Sequence, residues 1–292
     1  MSIFTGSAVA IVTPFDESNN INYFELKNLI NFQIASNTKA IVLLGTTGES
    51  STVTPNERTK LIKFAKCVID GRVPLIVGTG SNSTKTAIEL SKEAEELGAS
   101  AVLVVTPYYN KCNQVGLYNH YKAIASSINI PVVIYNVPSR TAVSVSPETV
   151  IKLSKIKNIV AIKEASGNLA QIEEIISGTD DDFAVYSGDD GLTLPLLSIG
   201  AKGVISVTAN CYPEWVQRLC DFALSGDFFN AKKCHYHLKQ INKSLFLDVN
   251  PIPVKHYLTL QGFMVGKPRP PLFEADKKLK QKLKEVFNIY EN

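Results

Sequence analysis

Lys163 stands where a buried strand should hold no charge: it ends the apolar run Asn158-Ile159-Val160-Ala161-Ile162 with an amine. In an extended strand its side chain shares a face with those of Ala161 and Ala165, which are small enough to leave space for a ligand beside the nitrogen. Burial disfavours the charged form of an amine, and a neutral amine can attack a carbonyl carbon. An isolated lysine at a strand end ordinarily extends its stem to water, but the polar residues around this one change that reading. A carbinolamine must lose water to become an imine, and its protons need a relay through hydroxyls rather than a strong acid. Tyr135, near the end of the preceding run Pro131 to Val137, supplies a phenol, and Thr46 and Tyr109 can extend the relay.

Two further features suit an anionic carbonyl compound. Gly45-Thr46-Thr47-Gly48-Glu49 is a glycine-flanked turn whose amides and hydroxyls can hold a carboxylate. It lacks the lysine and the spacing of a nucleotide-binding loop. Arg140, in Tyr135-Asn136-Val137-Pro138-Ser139-Arg140-Thr141, carries forked donors matched to a second carboxylate. Together these residues point to a small 2-oxo acid held as a Schiff base on Lys163, whose enamine makes a carbon–carbon bond. Cys234, His235 and His237 spread over more than one helix face and have no evident fourth ligand, so no metal is expected there. Asp189 and Asp190, after Gly188, read as caps of the next helix.

Such groups need a frame that gathers strand ends. Eight short apolar, β-branched runs recur: Ser7 to Pro14, Ala40 to Gly45, Val73 to Gly80, Ala101 to Tyr109, Pro131 to Val137, Ile159 to Ala165, Phe183 to Gly188 and Gly203 to Asn210. Segments with helical periodicity, such as Ile88, Leu90, Ala94 and Leu97, lie between them. Thr54-Pro55-Asn56-Glu57 forms a capping box, Ser146-Pro147-Glu148 repeats the cap-and-proline signal, and Gly98 marks a helix stop. No Gly-x-Gly-x-x-Gly turn follows the first run. The pattern therefore predicts an α/β fold, a closed (β/α)₈ TIM barrel over residues 1–224, with the polar strand ends gathered at one rim. Trp215 to Leu224, Phe228 to Leu247 and Pro253 to Leu260 read as helices, so residues 225–292 form a C-terminal helical appendage.

The 292 residues, 45% hydrophobic and 20% charged, allow one large core. The formal charge of +3, from 30 basic and 27 acidic residues, gives no strong field for nucleic acid or anionic lipid. The densest basic run, Lys277, Lys278, Lys280, Lys282 and Lys284, alternates with Leu279, Leu283, Val286 and Phe287 at helical spacing, as on the wet face of an amphipathic helix. Five cysteines without a C-x-x-C pair argue against a disulfide framework and for a reducing cytoplasm. No apolar run approaches the roughly 18 residues that cross a bilayer, and the start carries no basic, apolar export signal.

Six segments in order, GTTGES at Gly45 to Ser50, TPYYN at Thr106 to Asn110, YNVPSRT at Tyr135 to Thr141, IKEASGN at Ile162 to Asn168, GVISVTAN at Gly203 to Asn210 and NPIPVK at Asn250 to Lys255, closely resemble the dihydrodipicolinate synthase family. This is a group of pyruvate-dependent class I aldolase-like barrels related to N-acetylneuraminate lyase, and the resemblance runs from Phe4 to about Pro271. It implies that Lys163 forms the imine with pyruvate and that Tyr135 is proton donor and acceptor. Thr46 and Tyr109 would complete the relay, with Tyr109 reaching the neighbouring subunit's site across a tight dimer. The resemblance further implies that Thr47 and Ile205 contact pyruvate, that Gly188 lines the pocket, and that Arg140 binds the carboxylate of L-aspartate 4-semialdehyde. No cofactor or metal is implied, and the assembly would be a homotetramer built from two tight dimers. The implied product is 4-hydroxy-tetrahydrodipicolinate. A related lyase acting on sialic or 2-keto-3-deoxy sugar acids, or a silent metabolite-sensing barrel, are the other readings.

The chain departs from the family at two places. Ala142 follows Arg-Thr where glycine is common, and its methyl bears on how Arg140 is placed. Relatives inhibited by L-lysine bind it near the positions of Ser50, Ser51, Asn82 and Tyr108 and add histidine and glutamate groups. Pro55, Arg58 and Thr86 occupy those added positions here, so a cationic ligand meets a positive charge and inhibition is expected to be weak or absent.

Overall fold

Small residues at alternate strand positions let eight strands close on one another. The computed structural model describes residues 2–291. It contains β1 (Gly6–Ala10), β2 (Ala40–Leu43), β3 (Leu75–Gly78), β4 (Ala101–Val105), β5 (Val132–Asn136), β6 (Ile159–Glu164), β7 (Ala184–Ser187) and β8 (Gly203–Ser206). All neighbours are parallel and β8 pairs back to β1, which makes the expected closed barrel. The interior is filled by Ala8, Ala10, Ala40, Val42, Ala101, Val133, Ala161, Ala184 and Ile205, the alternate residues of their strands. Phe4 stacks on Tyr186 at the floor, with ring centroids 4.2 Å apart, and the Tyr186 hydroxyl donates to the Phe4 carbonyl at 2.8 Å. The barrel is thus packed below and open only at the rim where the strands end.

Helices lie between successive strands, and the residues opposite the interior set pack against them in a second, larger apolar layer. The helix Pro55–Ile69 begins with the capping box of Thr54 and Glu57, and Pro147–Leu153 is capped by Ser146. Gly98 takes a φ of 83° after the helix Thr84–Glu96, a conformation that glycine adopts at little cost. Each strand is shorter than its apolar run, because the remaining residues fold over the rim as loops. Thr208–Asn210, for example, form one 3₁₀ turn.

Beyond the helix Pro213–Leu224, three more follow: Phe228–Ser244, Ile252–Leu260 and Lys277–Glu291. In the last, Leu279 and Leu283 are buried while Lys277, Lys278, Lys282 and Lys284 face water. Among the described residues no helix is long and apolar enough to cross a membrane.

One buried histidine in this scaffold makes the fold sensitive to acid. His120 lies in the helix Gln114–Ala125 with Nδ1 2.9 Å from the Thr84 hydroxyl, and burial holds its pKa down at about 4 from 6.5. The unfolded chain takes up this proton as pH falls through 6.5 while the folded chain resists until about 4, so stability is lost across that window. His120→Gln keeps a polar partner for Thr84 and does not titrate. Its melting temperature is expected to fall less than that of the unaltered protein between about pH 7 and about pH 5, and equal falls in the two proteins would exclude His120 as the source.

Candidate active site

The site begins with an irregularity in β6. Val132 pairs with Ile159 but Val133 pairs with Ala161, so Val160 is an extra residue and the register moves by one. Tyr135 consequently lies level with Lys163 instead of Ile162, and both side chains point into the barrel. Lys163 is 5% exposed, and its Nζ rests 4.4 Å from the centroid of the Tyr135 ring. Among the described residues it has no carboxylate partner. Gly188, just beyond β7, is the third wall of this niche. A methyl group there would stand 3.1 Å from Lys163 Cε and 2.7 Å from Ala165 Cβ, so the absence of a side chain is what lets the lysine stem pass.

A cavity of about 420 Å³ opens above the amine, lined by Thr46, Thr47, Tyr135, Arg140, Lys163 and Gly188 and bordered by Phe246, Asp248, Val249 and Asn250. The turn after β2 is held by its own backbone, with Gly48 N–H donating to Gly45 O and Glu49 N–H to Thr46 O, each at 3.1 Å. Asn250 Nδ2 donates to Thr47 Oγ1 at 2.9 Å, which leaves the threonine proton free to donate to a bound anion. The carbonyl of Asn250 accepts a 3.4 Å hydrogen bond from Arg140 Nη2. Asn250 therefore orients both carboxylate-binding candidates, and its buried Oδ1 has no hydrogen-bond partner among the described residues.

Sequence reasoning gave Asn250 no role, because its position far along the chain says nothing about the rim it closes. Its place beside a proline, five residues before a lysine in the apolar run Ile252-Pro253-Val254-Lys255, was the available signal.

Six of the eight residues singled out from the sequence line this cavity. Ile205 is fully buried in the barrel interior with Tyr135 and Ala161 and does not form the cavity wall. Tyr109 is 90% exposed at a φ of 72° and stands outside the cavity of its own chain. Ala142 takes the left-handed conformation that glycine adopts freely, with a φ of 57°, and its N–H still closes the turn onto Pro138 O at 2.9 Å. The methyl costs about 1–2 kcal/mol of backbone strain in this conformation, and the turn that carries Arg140 is nevertheless closed.

Two acids at strand ends are turned away from the cavity, while Asp189 stands at its edge. Glu164 faces the helix layer, where its carboxylate accepts from Asn136 Nδ2 at 3.0 Å, Ser166 N at 2.7 Å and Gln171 Nε2 at 3.3 Å. Burial raises its pKa and these hydrogen bonds oppose the rise. Of the two acids expected to cap the next helix, Asp189 does so, accepting from Gly191 N at 2.8 Å. Asp190 instead reaches across to the end of β8, accepting from Val207 N at 2.9 Å, Thr208 N at 3.1 Å and the Ser206 hydroxyl. His237 stacks on Trp215 with centroids 3.8 Å apart, and among the described residues no three His, Cys, Asp or Glu side chains converge as metal ligands.

Thr46, Tyr135 and Arg140 also border a second cavity of about 390 Å³, which contains Ser50, Ser51, Arg58, Thr86 and Tyr108. Arg58 pairs with Glu93 at 3.1 Å and donates to Gly78 O at 3.0 Å, while its Nη2 is buried without a hydrogen-bond partner among the described residues. A cation entering this space meets that guanidinium.

A closed parallel barrel carrying an unpaired, buried amine beside a phenol at its C-terminal rim defines an enzyme of the imine-forming, class I aldolase type. The chain belongs to the dihydrodipicolinate synthetase family, whose model matches residues 3–289. It is 51% identical over 288 residues to the 4-hydroxy-tetrahydrodipicolinate synthase of Acetivibrio thermocellus, covering 99% of this chain and 98% of that one. Among solved structures, a dihydrodipicolinate synthase of Bacillus anthracis superimposes with a TM-score of 0.97 at 46% identity, covering 100% of both chains. The chloride-inhibited dihydrodipicolinate synthase of Acinetobacter baumannii, complexed with pyruvate, gives 0.95 at 42% identity over 97% of this chain and 98% of that one.

The packing at Gly188 yields a direct test. Gly188→Ala is expected to displace Lys163 Cε and lower kcat/KM by at least about tenfold, while overpacking costs roughly 1–3 kcal/mol of stability. Steady-state kinetics alongside thermal denaturation would measure both, and kinetics within about twofold of the unaltered protein would show that the lysine stem has room to spare.

Proposed function

We propose that this chain condenses pyruvate with L-aspartate 4-semialdehyde to give 4-hydroxy-tetrahydrodipicolinate, the first committed step towards diaminopimelate and lysine. The observation that carries the reading is the Lys163 amine, buried without an ion-pair partner among the described residues and facing Tyr135 in a cavity lined by Thr47 and Arg140. Lys163 attacks the ketone carbon of pyruvate, and loss of water from the carbinolamine gives the imine. Tyr135 carries the protons, with Thr46 and Tyr109 as its relay. Removal of a methyl proton gives the enamine, whose carbon attacks the aldehyde of the second substrate. Ring closure by the amino group of that substrate then frees the lysine.

Thr47 holds the pyruvate carboxylate by its hydroxyl and Gly188 leaves the space for the lysine stem, while Ile205 acts from the buried layer it shares with Tyr135. Arg140 binds the carboxylate of the semialdehyde, a bidentate pairing that favours this acid over polyhydroxylated sugar acids. Each step is carried by side chains, with no metal or organic cofactor assigned. Because Tyr109 projects from its own chain, its place in the relay requires a second copy. We assign a tight dimer, paired again into a homotetramer, working in the cytoplasm without nucleic-acid or membrane partners.

Borohydride reduction in the presence of pyruvate is expected to add the mass of the reduced adduct to the peptide containing Lys163, and Lys163→Ala to abolish both the adduct and at least about a thousandfold of the condensation rate. Cleavage of N-acetylneuraminate or 2-keto-3-deoxygluconate at a higher kcat/KM than the condensation would assign the imine to a sugar-acid lyase instead. The guanidinium in the second cavity leads us to expect no half-inhibition by L-lysine below about 1 mM in the same assay.

A further inference from the structure

A buried ion pair beneath the cavity has no part in the chemistry above. Glu49 Oε1 and Lys255 Nζ lie 2.6 Å apart, with side chains 2% and 1% exposed. Glu49 ends the turn after β2 at a φ of 53°, and Lys255 sits in the helix Ile252–Leu260. The second oxygen of Glu49 accepts from Arg269 N at 2.8 Å, and Lys255 Nζ donates to Lys267 O at 3.3 Å while lying 4.2 Å from the Phe15 ring centroid. Neither residue lines the Lys163 cavity. An apolar pair of similar volume generally stabilises a core as well as a buried ion pair or better, so stability alone is a weak reason for this arrangement.

Position is a stronger one. Thr47 is two residues before Glu49, Asn250 is five before Lys255, and the two meet through the 2.9 Å hydrogen bond from Asn250 Nδ2 to Thr47 Oγ1. Backbone on two sides and non-covalent bonds on the other two therefore close a ring of contacts. We propose that Glu49 and Lys255 are positioning residues for substrate carboxylate recognition. Their ion pair fixes Thr47 against Asn250 and, through the Asn250 carbonyl, fixes Arg140. The pair then governs how tightly both substrates are held and leaves the amine and its phenol undisturbed. This inference rests on the carboxylate roles assigned above to Thr47 and Arg140.

The test is a pair of variants in the full chain, Lys255→Met and the double variant Glu49→Gln/Lys255→Met. For Lys255→Met, KM for both substrates is expected to rise at least about tenfold, with kcat within about threefold and the pyruvate adduct still trapped on Lys163 at saturation. The double variant leaves no uncompensated buried charge, so its melting temperature should recover towards that of the unaltered protein while KM stays high. A merely structural pair would restore KM together with stability. KM within about twofold of the unaltered value in the double variant, or a fall in kcat at unchanged KM, overturns the proposal. If Lys255→Met fails to fold, the double variant carries the same comparison alone. The unaltered protein reports on the underlying reading separately, since absence of its own pyruvate adduct would remove that reading whatever the variants did.

Discussion

The structure depends on keeping one amine out of water with no ion-pair partner among the described residues. Taking an ammonium into a protein interior costs several kcal/mol, and a carboxylate partner would offset much of that. Here the face of Tyr135 takes that place, with Nζ 4.4 Å from the ring centroid, and the nitrogen opens onto the cavity where a carbonyl carbon can reach it. The acid next in sequence, Glu164, is turned to the other side of the strand, where it accepts from Asn136, Ser166 and Gln171. Strand alternation alone separates the two, and the extra residue at Val160 sets which of β6's side chains stands level with the phenol.

The barrel supplies the rigidity this requires. Its small interior residues pack the lower part solidly, the Phe4–Tyr186 stack closes the floor, and the space that remains lies at the rim. Asp190 braces the exit of β8 from across the strand gap, and Gly188 keeps the passage for the lysine stem clear. These features form a stiff base, and recognition is placed on the loops above it, as in other barrels where strand ends bear the chemistry.

The C-terminal helices do more than cover the barrel. The segment Phe246 to Asn250 borders the cavity, and the helix that follows anchors the turn after β2 through Lys255. Residues about 200 positions apart in sequence thus hold the two carboxylate-binding groups in register. Catalysis and recognition are supported by different parts of the chain: β5 and β6 carry the amine and phenol, whereas the turn after β2, the Arg140 loop and the C-terminal region hold the substrates' charged ends.

What the sequence determined by itself was local. Eight apolar runs, the capping box at Thr54, the lysine ending an apolar strand and the glycine-flanked threonine pair each announce themselves over a few residues, and short-range sterics and hydrogen bonding decide them. Contacts between distant segments were settled by the tertiary structure. The register shift that brings Tyr135 level with Lys163 arises from β5 pairing with β6, and the Asn250 bridge arises from the C-terminal region folding back over the rim. The outward turn of Glu164 and the reach of Asp190 to β8 likewise depend on which neighbours are present to receive them. Ile205 inside the barrel and Tyr109 outside it make the same point, because a residue's type is fixed along the chain whereas the surface it faces is fixed by packing.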